Sequence, residues 1–234
     1  MEFNKNYLQL DKTQGSFYVY SKEEKDGYKK HESTTGKVSY RKYFDKGVTG
    51  KLDSVTIYES DYGKQISMSI VNDNEQYYAP VEIFDQRGNV NLYAESLIKF
   101  LPLLEKQQSI VLYPYRFIPE GSTYSKAGVS ITINGEKQKS AVTNSYYTKE
   151  GELVAGDIPA VKWVEKLGKK SPSAASLEAK DDYLLAMLET AVERLTWKTG
   201  TSNNDSSAQP KQEDTPKKET PALQEEEDYD DLPF

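Results

Sequence analysis

The chain has 234 residues, 36% apolar and 29% charged, the size of one medium domain with additions. The absence of cysteine excludes disulfides, thiolate nucleophiles and cysteine–zinc sites and fits a reducing compartment. The net charge of −7 is concentrated at one end: Gly200 to Phe234 holds ten acids against three lysines, while the first 199 residues hold 27 charges of each sign.

A neutral body lacks the basic footprint of a duplex binder, but it suits a protein that grips single strands by stacking along a local cationic groove. The single histidine, His31, lies in the charged stretch Glu23 to Glu32 and reads as part of a solvated loop; one histidine cannot build a histidine-rich metal site. No apolar run approaches the ~20 residues of a membrane span, and no basic-then-apolar signal opens the chain. The expectation is a cytoplasmic protein with no membrane partner.

Met1 to Lys37 reads as a polar lead-in with one strand-like piece, Phe17 to Tyr20, and a loop over Lys22 to Gly36. Val38 to Phe44 alternates again, and the two pieces are expected to pair as extra strands over the core. From Gly47 to Glu136 the pattern gives five strands with one helix between the third and fourth. The strands are Gly47 to Glu59, Lys64 to Asn72, Tyr77 to Asp85, Ser109 to Ile118 and Gly128 to Asn134. Ile66, Met68 and Ile70, then Ala79, Val81 and Ile83, then Val129, Ile131 and Ile133 mark the inward faces. The helix starts near Leu92 behind an Asn91 N-cap, with Leu97, Ile98 and Leu101 as its apolar stripe and Pro102 limiting it. Three strands, a helix and two strands is the plan of the OB-fold, a five-stranded Greek-key barrel that often binds oligonucleotides.

Strand one adds a detail. Val48, Gly50 and Leu52 hold one phase of the alternation, and Val55 and Ile57 hold the other. An extra residue near Asp53 or Ser54, a β-bulge, reconciles them and bends the strand round a barrel corner. The competing reading is an ordinary antiparallel sheet.

Beyond Gly135, Tyr146 to Thr148 and Leu153-Val154 flank the turn Lys149 to Glu152 and read as a hairpin. A helix follows from Ser173 to Trp197 with Leu177, Leu184, Leu185, Leu188, Val192 and Leu195 on one face; Asp181 and Asp182 fall off that face and read as a helix start. The expected domain thus spans residues 1–199. Residues 200–234 have no periodic apolar positions and read as a disordered acidic tail. That tail ends Glu225-Glu226-Glu227-Asp228-Tyr229-Asp230-Asp231-Leu232-Pro233-Phe234, and solubility explains the acids but not the apolar tip.

These last residues resemble the tail of bacterial single-stranded-DNA-binding proteins, which end in acids followed by Ile-Pro-Phe or close variants; Leu232 replaces the isoleucine and Tyr229 interrupts the acids. The barrel resembles single-stranded-DNA-binding proteins of bacteriophages over roughly Lys37 to Glu136. That likeness is carried by Gly47-Val48-Thr49-Gly50-Lys51-Leu52, Tyr62-Gly63-Lys64 and Phe84-Asp85-Gln86-Arg87-Gly88-Asn89. The resemblance implies a protein that coats single-stranded DNA in replication, recombination or repair. It also implies that partner enzymes are recruited through Asp228, Asp230, Asp231, Leu232, Pro233 and Phe234. The extra strands and the added helix are not part of the plain bacterial domain, so its tetrameric assembly does not carry over.

Single-strand binders set aromatic rings under bases and cations beside phosphates. The positions facing away from the expected core give the candidates: Tyr58, Tyr62 and Lys64 about the first turn; Tyr78, Phe84 and Arg87 on and after strand three; Tyr113, Tyr115 and Phe117 on strand four if Ile110 and Leu112 point inward. Lys126 beside Tyr124 precedes strand five, and Arg41 and Tyr43 add to one edge. With 18 tyrosines in the chain, each of these competes with a half-buried structural role. No phosphate-cradling glycine loop, spaced acid cluster or serine–histidine pair supports catalysis, so neither enzyme, cofactor, metal nor small-molecule substrate is expected. The alternative reading is an adaptor whose barrel binds RNA or protein.

Overall fold

The computed structural model describes residues 3–33, 35–60, 63–166 and 168–196. The expected disorder of the tail, its terminal motif and Tyr62 lie outside the described residues. The chain is mainly β. In order it forms β1 (Asn4–Tyr7), β2 (Gln9–Asp11), β3 (Ser16–Ser21), β4 (Lys29–Glu32), β5 (Val38–Tyr43), β6 (Val48–Ser60), β7 (Gly63–Asn72) and β8 (Glu75–Glu82). Helix α1 (Leu92–Ile98) and a 3-10 turn (Leu101–Leu103) precede β9 (Ser109–Phe117), β10 (Lys126–Ile133) and β11 (Glu136–Lys137). Two small hairpins, β12 (Tyr146–Tyr147) with β13 (Leu153–Val154) and β14 (Trp163–Lys166) with β15 (Lys169–Pro172), lead into α2 (Ala174–Leu195).

The main sheet runs β1-β8-β7-β6-β9-β10-β11, and a second sheet runs β2-β3-β5-β4. In the main sheet the inward faces are those the alternation predicts, with Ile66, Met68, Ile70, Ala79, Val81, Val129 and Ile131 at most 1% exposed; on β7 the other face, Gln65, Ser67 and Ser69, is buried as well. The phase switch in β6 is a bulge. Leu52 pairs with Ile70 and Ser54 with Ser69, leaving Asp53 as the extra residue. Its carboxylate turns to the outer face and accepts from Ser69 Oγ at 3.1 Å and Gln76 Nε2 at 3.4 Å. Bulge and long strand let β6 pair β7 along most of its length and β9 at Val48 to Lys51.

Among the described residues no ladder joins β8 to β10. The free edge of β8 instead pairs in parallel with β1, Tyr78 opposite Tyr7. The turn between β2 and β3 bridges the gap. Lys12 Nζ reaches Glu82 on β8 at 2.6 Å, and the Lys12 carbonyl accepts from Arg116 Nη1 on β9 at 3.2 Å.

Asn91 caps α1 as expected, its side-chain oxygen accepting from the Tyr93 and Ala94 amides. α2 closes the core beneath α1 with Leu184, Leu188, Ala191 and Leu195 buried. Arg194 donates to the Leu104 and Leu101 carbonyls at 2.5 and 2.7 Å, and Thr196 Oγ1 to the Val55 carbonyl at 3.0 Å.

Three expectations are corrected. The Lys22 to Gly36 segment is not one loop, because β4 lies within it; His31 is a half-buried strand residue opposite Ser39. The polar lead-in holds β1, whose pairing partner is the distant β8, and β2, which forms a hairpin with β3. Asp181 is buried in mid-helix rather than at a helix start, and its Oδ2 accepts from the Val90 amide at 3.0 Å. Burial raises the Asp181 carboxyl above the usual carboxylate range, against the pull of that hydrogen bond.

Candidate nucleic-acid interface

β9 is the strand with most aromatic side chain on offer. Ile110 and Leu112 are buried, so Tyr113, Tyr115 and Phe117 share the other phase. Tyr113 is 40% exposed and Phe117 51%, and the Tyr115 and Phe117 rings lie 5.9 Å apart at 40°. Across the ladder these three face Ser130, Gly128 and Lys126 of β10. Gly128 has a spatial reason: a Cβ there would sit 2.8 Å from the Tyr115 hydroxyl and 2.8 Å from Ser96 Oγ. The ladder with β6 ends at Leu112, so Pro114, which has no N–H to give, falls beyond it.

These rings line a groove of about 770 Å³ walled by α1, β9, β10 and the segment after β11. Its basic groups are Lys99, Arg116, Lys126 and Lys137. Lys126 and Lys137 form no ion pair among the described residues. Ser96 fixes α1 against β10, donating to the Val129 carbonyl at 2.7 Å while accepting from the Val129 amide at 3.0 Å.

Glu95 stands under the groove, 7% exposed, with Lys99 on one oxygen and Lys180 Nζ 2.6 Å from the other. Burial alone would push its carboxyl up. The hydrogen bonds and charges of Lys180 and Lys99 outweigh that and hold it below the usual range. The pair fixes the start of α2 to α1 and consumes most of the charge of Lys99.

The remaining candidates are scattered. Tyr58, 41% exposed, donates to Gln65 Oε1 at 2.6 Å in a hollow between the two sheets; burial raises its hydroxyl pKa, keeping it neutral. Arg41 and Tyr43 sit on β5 in the second sheet: the Arg41 guanidinium is 4.5 Å from the Tyr18 ring centroid, and the Tyr43 hydroxyl donates to Asp11 Oδ2 at 3.0 Å. Tyr78 stacks on Tyr7 at 5.0 Å and 13° on the edge of the main sheet. Phe84 packs against the core and bridges to Val90, so its ring is engaged in the fold. Lys64 and Arg87 are exposed, on β7 and in the turn after Ile83, and line none of these hollows.

The structure therefore gathers Tyr113, Tyr115, Phe117 and Lys126 in one groove and leaves Lys64, Tyr78, Phe84 and Arg87 outside it. Sequence reasoning missed Lys99 and Lys137 as groove cations and Tyr18 and Tyr7 as ring partners. The Glu95–Lys99 spacing of four on a helix was the available signal for the first. Among the described residues no group of three or more His, Asp or Glu is placed to hold a metal ion, and no helix is long and apolar enough to cross a membrane. No protein-family model, curated protein or solved structure matches this chain.

Proposed function

We propose that this chain is a non-catalytic single-stranded-DNA-binding protein on an OB-fold plan, with β6, β7, β8, β9 and β10 as the five strands and α1 as the intervening helix. The strand order and the bulge in β6 support that plan, and the β2–β3 turn takes the place of a β8–β10 ladder. The observation that carries the function is the row Tyr113, Tyr115 and Phe117 running along a groove beside Lys126 and Lys137, which have no ion-pair partner among the described residues. Spaced rings accept bases of any sequence, and the cations meet phosphates. The groove is local, on an otherwise neutral body, which favours single strand over duplex.

Titrating the intrinsic fluorescence with a dT oligonucleotide at two salt concentrations tests this. Binding should be tight, weaker at high salt and much weaker for duplex of the same length. Tyr115→Ala should cost about 1–3 kcal/mol of binding with the fold intact. Equal affinity for duplex and single strand would sink the proposal. The terminal segment Asp228 to Phe234 is assigned, on its resemblance alone, to recruiting replication or repair proteins. Deleting it should abolish capture of such enzymes and leave DNA binding in place.

A further inference from the structure

We infer that the junction of the N-terminal sheet with β6 carries a second subsite for the same single strand, taking bases on Tyr58 and on the Arg41–Tyr18 pair; this rests on the single-strand reading of the β9 groove. Two hollows, of about 470 and 500 Å³, lie where the second sheet meets β6 to β8, and they share Leu10, Lys12, Tyr18 and Glu82 as walls. Gln14 lines both the second of these hollows and the β9 groove. The three spaces are therefore strung around one turn, Asp11 to Gly15.

That turn is fixed. Asp11 Oδ1 accepts from the Thr13 and Gln14 amides at 3.0 Å, and the Asp11 carbonyl accepts from the Gly15 amide at 2.8 Å. The Lys12 carbonyl accepts from the Tyr93 hydroxyl and from Arg116, both at 3.2 Å. Gly15 lies on the β9 backbone: a Cβ there would be 2.2 Å from the Arg116 nitrogen. A strand leaving the Tyr113–Phe117 row meets a rigid shoulder and, past it, a second set of flat groups.

Those groups suit bases more than phosphates. The Tyr58 ring is exposed and held by Gln65, which itself donates to Ser60 Oγ at 3.1 Å. The Arg41 guanidinium carbon lies over the Tyr18 ring, 4.5 Å from its centroid, and the guanidinium lines the second hollow, where a base can stack on it. The cations here are already matched: Lys12 pairs with Glu82 at 2.6 Å and Arg41 with Asp11 at 3.6 Å. A phosphate gains little beside a compensated charge, whereas stacking on a neutral platform is undiminished.

The test compares dT oligonucleotides of about five and about sixteen nucleotides, the span of site sizes for such folds, on the full chain. Tyr58→Leu should weaken the longer about tenfold and leave the shorter unchanged; Tyr58→Phe, which keeps the ring and loses the hydroxyl, should bind both like the parent. Glu82→Gln, which removes an anion from the path, should strengthen the longer about threefold and the shorter less, since the shorter gains only the general effect of one negative charge fewer. If the parent binds both lengths and Tyr58→Leu moves neither, or moves both equally, the second subsite is wrong and the β9 reading stands. A parent that binds neither length overturns both.

Discussion

The β9 groove and the N-terminal hollows both present tyrosines, and they differ in what surrounds their cations. In the β9 groove Lys126 and Lys137 have no carboxylate partner among the described residues, so their charge is available to an anion. In the hollows Lys12 and Arg41 each have one, Glu82 and Asp11. Rings alone do not define a nucleic-acid surface; the balance of charge beside them decides whether a phosphate or a base is favoured. One region should behave as a salt-dependent anchor and the other as a salt-indifferent extension.

The largest way to break this contrast is to unseat the anchor. Glu95 is the buried counter-charge of Lys99 and Lys180. Glu95→Gln leaves two mostly buried ammonium groups facing a neutral amide, a loss of about 3–5 kcal/mol, toward the low end because both lysines can swing to solvent. The pH dependence follows from the lowered carboxyl. Its stabilisation is fully present above the unfolded carboxylate range and is lost as pH falls through the lower folded value. Urea titrations of parent and variant should differ at neutral pH and converge in acid. A constant gap at all pH values would mean that Glu95 acts through packing rather than charge.

Next in size is Gly15→Ala. The residue has φ of +65° and no room for a methyl group against Tyr115 and Arg116. Left-handed strain and forced displacement together should cost about 2–4 kcal/mol. Because the turn joins the two regions, its displacement should also remove the advantage of a long oligonucleotide over a short one. A variant with parental stability and an undiminished length advantage would show that the turn is not the junction.

The main sheet was legible because its apolar residues recur at every second position, so period-two alternation fixes their register even on β7, whose polar face is buried too. The same logic exposed the bulge at Asp53 and the inward Ile110 and Leu112 that aim Tyr113, Tyr115 and Phe117 outward. β1, β2 and β4 were not legible. Their sequences, NKNY, QLD and KKHE, are short polar edge segments with no apolar alternation of their own, extended by pairing β1 with the distant β8 and β2 and β4 with the strands that follow them. The Tyr7–Tyr78 stack and the Lys180–Glu95 pair join residues about seventy or more positions apart, which no local pattern reports. Asp181 broke a rule that usually holds, that carboxylates avoid buried helix faces, because the Val90 amide needed an acceptor there. The candidate groove was half legible. Its rings lie on one strand, but Lys99 and Lys137 reach it from a helix and from the segment following β10.

The smallest effect is the most discriminating. If Lys126 contacts one phosphate, Lys126→Gln should reduce the slope of log K against log salt by about 0.7, the single-strand value per contact. A comparison variant must leave the net charge alone, since any added negative charge weakens DNA binding at a distance. Lys12→Gln combined with Glu82→Gln meets that condition: it removes one cation and one anion that already neutralise each other at 2.6 Å. Its slope should match the parent's, because no counterion was released from a compensated lysine. The two slopes, measured on one long oligonucleotide, separate charge that is available from charge that is merely present. Equal slope losses in both variants would mean that DNA displaces Glu82 and takes Lys12, and the hollows would then be a continuation of the phosphate track. No loss in either would remove Lys126 from the interface and leave the aromatic row of β9 to bind bases without its cation.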